Sequence, residues 1–423
     1  MDKKMKKALN SDTSIDSITD DNLSMIFSNL DHFGLARSIC VNKSWRDYIH
    51  ESTILQKKYE RQKSDYPDLF NATSSIRPAT LKNLLNDFAM QQHKMSFLNN
   101  ESVYIHNWEG DSEGGQQCRM KMGRILTGVG DKLLSIWSLE SYKRLEKYSA
   151  PASVIDIDFD ERRVVGLLGS RIGIWSRHGK RTISPSPNIT VTSGLCMRYI
   201  DQEVVVGCGD GAARVYDIQS EKCSHTIKMH AGPVTCLALT DDHLILSGSS
   251  IGSVKLANFS NGKISTLKCT NSTGITTLCY NSSSSRAFVG SNSGHLHCWD
   301  LRIMGRELWK KQVSLSKIYS VQHMQKDESS VVVGGRDGVL RIVDQDTGEI
   351  LSSYVIDDDS TRLDMIENRF VEREKGRTIS IDENLDRIPK ARRPAITCLA
   401  VGMQKVITTH ADKVVRVWKF SSM

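Results

Sequence analysis

The sequence contains no long apolar run. No stretch of its 423 residues could cross a bilayer, so no membrane partner is expected. Its ten cysteines include no CxxC pair and no knot-like spacing, which argues against a disulfide framework and for a reducing compartment, cytoplasm or nucleus. The opening MDKKMKKALN is basic, but no apolar segment follows it, so it does not read as a secretory signal. No nucleophile, base and orienting acid fall in a recognisable arrangement, and no phosphate-binding loop is present. Neither catalysis nor a cofactor is expected. The formal charge of +7 comes from dispersed Lys and Arg without an aromatic-interleaved RNA motif, so nucleic acid is not an expected partner.

What the chain does contain is a twelve-residue frame that occurs seven times without a gap. It is clearest at Val206–Asp217, VGCGDGAARVYD, and recurs from Thr127, Val165, Ser247, Val289, Val333 and Thr408. The eighth and tenth positions are always apolar, as on one face of a strand, and the Gly and Asp before them suit a tight turn. Each copy therefore reads as strand, turn, strand. The eleventh position is Trp137, Trp175, Tyr216, Ala257, Trp299, Val343 and Trp418, at spacings of 38, 41, 41, 42, 44 and 75 residues.

A period near forty with four strands per repeat predicts a β-propeller, and the motifs resemble the WD40 family. The expected fold is a small all-α N-terminal segment plus an all-β seven-bladed propeller over 102–423. A domain of that size buries about three quarters of its unfolded surface, so no metal or disulfide is needed for stability. Several cysteines (Cys236, Cys298, Cys398) fall at inward strand positions, where a thiol acts as a small apolar group. The last blade is one strand short. Ser102–Trp108, SVYIHNW, alternates like a strand and is expected to pair beside Lys413–Phe420 and close the ring.

The N-terminal part divides into a disordered tail (1–14), a helical domain (15–60) and a helical connector (61–101). Leu23, Ile26, Phe27 and Leu30 lie at helical spacing after Thr19 and Asp20 as caps; Leu35 with Ile39, and Trp45 with Ile49, mark two more short helices. A helix through Lys63, a break at Pro67, and a stripe of Leu81, Leu84, Leu85 and Phe88 complete a semi-rigid connector.

Ile18 to Ile49 resembles the F-box, and Val41 to Trp45 looks like its V-x-K-x-W segment. The family opens on Leu-Pro where this chain has Ile18-Thr19. The resemblance implies docking to the adaptor subunit of an SCF-type cullin ubiquitin ligase and, through it, to the cullin. Ile18, Leu23, Ile26, Phe27, Leu30, Val41 and Trp45 would form that contact or the core beneath it. The implied function is substrate recognition: the propeller binds an unidentified protein and the chain itself is not an enzyme. The alternative is a non-ligase scaffold for protein or RNA–protein assembly.

By the same resemblance, the turn Asp (Asp131, Asp210, Asp337, Asp412) joins a network of His, Ser or Thr, and Trp. His230 and Ser247 match that His and Ser, but in a fourth blade with Ile251 and Ala257 for Asp and Trp. No copy carries the whole network, and the fourth blade is expected to be the weakest. The turns offer Lys132, Arg171, Asp210, Arg336, Asp337 and Lys413 as a rim for an acidic or phosphorylated peptide. Ile356–Pro394, about half charged, is an insertion between blades 6 and 7. It reads as a solvated loop or a top-face lid, with Arg377 and Ser380 suited to a basic-directed kinase.

Two motifs are set aside. GCGDGA at Gly207–Ala212 matches a dinucleotide fingerprint but leads into a strand, not the helix that chemistry needs. His295 and His297 share a strand face but lack further ligands for zinc, and read as solvent-side histidines.

Overall fold

The structure is a computed structural model. It describes residues 20–30, 32–39, 41, 43–65, 81–98, 103–109, 117–128, 130, 132–177, 183–240, 244–258, 262–267, 273–303, 306–324, 327–366, 369–380, 383–412 and 414–420. The chain divides into two compact units, Met1–Lys94 and Met95–Met423.

The first unit holds α1 (Asp20–Asn29), α2 (His32–Ile39), α3 (Lys43–Glu51) and α4 (Ile54–Asp65). Leu23 and Phe27, one turn apart on α1, meet Leu35, Ile49 and Leu55 in a single core. Leu30 and Trp45 pack against its edge, the Trp45 ring edge-on to Phe27 at 5.3 Å. The tail, Ile18, Thr19 and the break at Pro67 lie outside the described residues. α5 (Leu81–Leu98) runs to the boundary, and its last turn places Phe97 in the second unit, 4.6 Å from the ring of Phe420.

The second unit is a seven-bladed propeller. Five blades are separate four-stranded antiparallel sheets. Each repeat frame is the second strand, turn and third strand of a blade, as where Glu203–Cys208 pairs with Ala212–Asp217. Seven apolar clusters lie between successive blades; the one holding Trp108, Trp137, Cys398 and Val417 joins blade 7 to blade 1. The frame's second position explains its glycines. A Cβ on Gly248 would lie 2.5 Å from Ile275 of the next blade, and Gly207, Gly290 and Gly334 face Val234, Ile318 and Ile396 in the same way.

Val103–Glu109 closes the ring as expected. It pairs antiparallel with Val414–Phe420, from Val103 opposite Phe420 to Glu109 opposite Val414. The insertion does not behave as expected. It is neither a solvated loop nor a top-face lid along this stretch: the outer strand of blade 6 continues through it as Ile350–Ile366, and Arg369–Thr378 returns beside it. The returning strand also pairs with the closing strand, Gly376 opposite Val103 and Glu372 opposite Asn107. Blades 6 and 7 thus become one nine-stranded sheet. The cause is the free edge of blade 6, whose N–H and C=O groups the arm satisfies. Its middle is Gly376, where a Cβ would come within 3.2 Å of Trp418 and Val103. Beyond the arm, Ile379 and Ile388 pack on Val339 and Val355.

Candidate interaction surfaces

On the helical unit six of the seven sequence-derived residues separate into two groups, Ile18 lying outside the described residues. Leu23 and Phe27 are core, with Leu30 and Trp45 packed against them. Ile26 and Val41 face solvent, 44% and 57% exposed, and Met25, which sequence reasoning left out, is 64% exposed. Met25 and Ile26 follow one another on α1. Val41 lies between α2 and α3, its N–H donating to the Ser38 carbonyl at 3.1 Å. Full burial of each such side chain stabilises by about 1.5–3 kcal/mol, so a partner covering these three gains substantially.

On the propeller rim the structure corrects part of the expectation. Asp337 is buried, 6% exposed, and its carboxylate accepts from Ser314 Oγ at 2.7 Å and from Arg341 Nη1 at 2.7 Å. Asp210 is engaged as well, its two oxygens taking Arg214 at 3.2 and 2.6 Å. That pairing holds the Asp210 carboxyl down to about 2, burial acting weakly against it. Asp412 holds Arg416 in the same way at 2.7 Å. The rule is legible in the frame: the three copies with Asp fifth and Arg ninth are these three, and the Asp serves the Arg four residues on. Lys132, Arg171 and Arg336 are exposed on the turns; Lys413 and Asp131 lie outside the described residues.

The family's His–Ser–Trp contacts occur in pieces. His230 Nε2 lies 2.8 Å from Ser247 Oγ, and its Nδ1 lies 2.6 Å from Ser253 Oγ, so a serine fills the place left by the missing aspartate. In blade 7 Trp418 Nε1 donates to Thr408 Oγ1 at 2.9 Å, and Thr408 meets His410 Nε2 at 2.7 Å. This histidine comes from the frame itself, and its Nδ1 bonds the Pro394 carbonyl at 3.0 Å. Trp137 and Thr127 repeat the indole–hydroxyl bond at 2.8 Å, wherever the frame has Thr first and Trp eleventh. His297 is not on the solvent side: it is buried, stacked on Trp299 at 5.3 Å and bonded to Glu307 at 2.6 Å.

Inside the ring the inner strands line a cavity of about 370 Å³. One wall is charged. Asp156 Oδ1 accepts from Arg119 at 2.9 Å, while its Oδ2 accepts the Met197 N–H of the next blade at 2.8 Å. Asp158 takes Lys121 at 2.6 Å and the Tyr199 N–H at 3.1 Å. Burial would raise the Asp158 carboxyl, but Lys121 and Arg119 hold it below its usual value. Thr277 and Ser320 play the part of Asp156 in later blades, accepting the N–H of Val321 at 3.2 Å and of Leu399 at 3.1 Å. Ala238, Leu278 and Leu399 add apolar lining.

Among known proteins, the family described as WD domain, G-beta repeat matches residues 221–256 and 261–300. Each match takes the outer strand of one blade and three strands of the next. The sequence repeat is therefore staggered from the blade, the same stagger that leaves Val103–Glu109 to complete blade 7. The DENN domain and WD repeat-containing protein SCD1 of Arabidopsis thaliana is 20% identical over 233 residues, 52% of this chain and 20% of that protein. The crystal structure of the computationally designed Ika8 protein aligns with a TM-score of 0.52 at 19% identity, over 74% of this chain and 98% of that one, a likeness of fold alone. An F-box/WD-40 repeat-containing protein of Arabidopsis thaliana is 44% identical over 438 residues, 97% of this chain and 95% of that one. A likeness that runs the length of both chains, through the helical unit and the propeller alike, shows that this protein belongs to the F-box/WD-40 repeat family.

Proposed function

We propose that the protein is a non-catalytic substrate receptor of an SCF-type ubiquitin ligase. The helical unit docks to the adaptor and the propeller holds a target protein, so that tethering raises the concentration of target lysines near the ubiquitin carrier. The observation that carries this reading is the exposure of Met25, Ile26 and Val41 above a core that is complete without them. Apolar residues left in water by a small unit with a finished core mark an interaction surface. The target surface is proposed on the turn rim with Lys132, Arg171 and Arg336, since Asp210 and Asp337 are occupied.

The test is affinity capture of the full chain beside an Ile26→Asp, Val41→Asp double variant, with partners identified by mass spectrometry. Adaptor and cullin are expected with the parent and absent with the variant, while proteins held by the propeller remain in both. A folded parent chain that captures neither adaptor nor cullin would overturn the receptor reading in favour of a non-ligase scaffold.

A further inference from the structure

The seam between blades 7 and 1 brings two thiols together on the inner strands Ile396–Gly402 and Cys118–Lys121. Cys398 Sγ lies 3.5 Å from the carbonyl oxygen of Cys118, 3.7 Å from Arg119 Nη1 and 4.0 Å from Ser320 Oγ. Arg119 is itself fixed, its Nη2 on Asp156 at 2.9 Å. The Cys398 sulfur thus sits at the place where Ser320 and Thr277 use a hydroxyl in other blades, with a guanidinium and a hydroxyl aimed at it. Cys118 is among the residues around the channel cavity, and both thiols are buried.

A second thiol pair provides the contrast. Cys196 and Cys236 occupy the corresponding bulges of blades 3 and 4. Burial pushes the Cys196 thiol up, and the Cys236 thiol up to about 11. At the other seam the hydrogen bond from Cys118, joined by the charge of Arg119, holds the Cys398 thiol down to about 5 against the effect of burial. The partner thiol of Cys118 is correspondingly raised, by that same hydrogen bond and by burial. One seam therefore sets a guanidinium and a hydroxyl beside its thiols, and the other holds thiols that burial pushes up.

We propose that Cys118 and Cys398 are a site of oxidative modification by hydroperoxides, Cys398 attacking and Cys118 resolving to a disulfide that ties blade 7 to blade 1. The Cys398 thiolate attacks one peroxide oxygen, the O–O bond breaks, and the leaving hydroxide takes up a proton as water. The Cys118 sulfur then attacks the sulfenic sulfur, an S–S bond forms, and the departing hydroxide takes the Cys118 proton as a second water. Two thiols are oxidised by two electrons and one peroxide is reduced.

The test uses the reduced full chain, treated with hydrogen peroxide while folded. Remaining thiols are alkylated, the chain is digested, and the peptides are read by mass spectrometry. A Cys118–Cys398 cross-link is expected at peroxide levels that leave Cys196 and Cys236 free. Cys118→Ser is expected to leave a dimedone-reactive Cys398, Cys398→Ser to leave Cys118 unmodified, and Arg119→Gln to slow the reaction about tenfold. Recovery of both Cys118 and Cys398 as free thiols in the folded parent chain, under conditions that oxidise exposed Cys223, would overturn the proposal. That arm needs no variant and so does not depend on a variant folding.

Discussion

In the propeller, the last free edges are covered from within the chain. Val103–Glu109 lies against Val414–Phe420 on one side and against the charged arm on the other, and no blade boundary lacks an apolar cluster. In the helical unit, five core residues close on one another while Met25, Ile26 and Val41 stay in water. A chain able to satisfy nine strands in one sheet has the means to cover three side chains. The propeller closes its sheet edges from within the chain, whereas the helical unit leaves apolar side chains in water beside a finished core.

The sharpest way to break this comparison is at the closing strand. Ile105 is fully buried between two strands. Ile105→Asp places an unpaired charge there and is expected to cost more than about 4 kcal/mol, read as a collapse of the denaturation midpoint. Phe27→Ala is expected to remove about 3–5 kcal/mol from the helical unit alone, leaving the propeller's transition in place. A single shared loss would show that the two units are not separable. The turn pairs grade next: Asp337→Ala strands Arg341 in a buried setting and should cost about 3–5 kcal/mol, whereas Asp210→Ala at a more exposed turn should cost under about 1 kcal/mol.

Acid offers a graded probe of the propeller. Burial, with nearby Lys255 for His230 and Arg416 for His410, lowers these imidazoles to about 4 and about 3. The unfolded chain takes up these protons first. Stability is therefore complete above about pH 6.5 and falls as pH drops from there toward 4 and 3, by up to about 1.4 kcal/mol per pH unit for each group. Thermal melts across that range, compared with His230→Gln, check the sign. The smallest stability effect is expected at Ile26→Asp and Val41→Asp, within about 0.5 kcal/mol, although adaptor capture should be lost.

Much of the propeller was legible because each frame must be apolar at alternate positions and glycine where the next blade intrudes. Ring closure was legible for the same reason, since SVYIHNW alternates. The arm was not: a strand on the outer rim buries little, so Glu372, Arg373, Glu374 and Lys375 carry no apolar period and read as a loop. Asp337 was misplaced on the exposed rim because the turn was read alone, without the arginine four residues later; Asp210 does lie exposed there, paired with Arg214. On the helical unit the spacing of Leu23, Ile26, Phe27 and Leu30 gave the helix, but an apolar stripe wider than its core does not say which residues remain outside. Only the positions of Leu35 and Ile49 decide that Phe27 goes in and Ile26 stays out.

The pairing of Trp108 with Val415 also sets a clock on synthesis. About three hundred residues separate the two, and at 5–20 residues per second roughly fifteen to sixty seconds pass between their appearance at the ribosome. Until Arg369–Thr378 is made, both edges of Val103–Glu109 stay open while the earlier blades assemble behind it. Pauses late in translation should therefore lower yield more than pauses early.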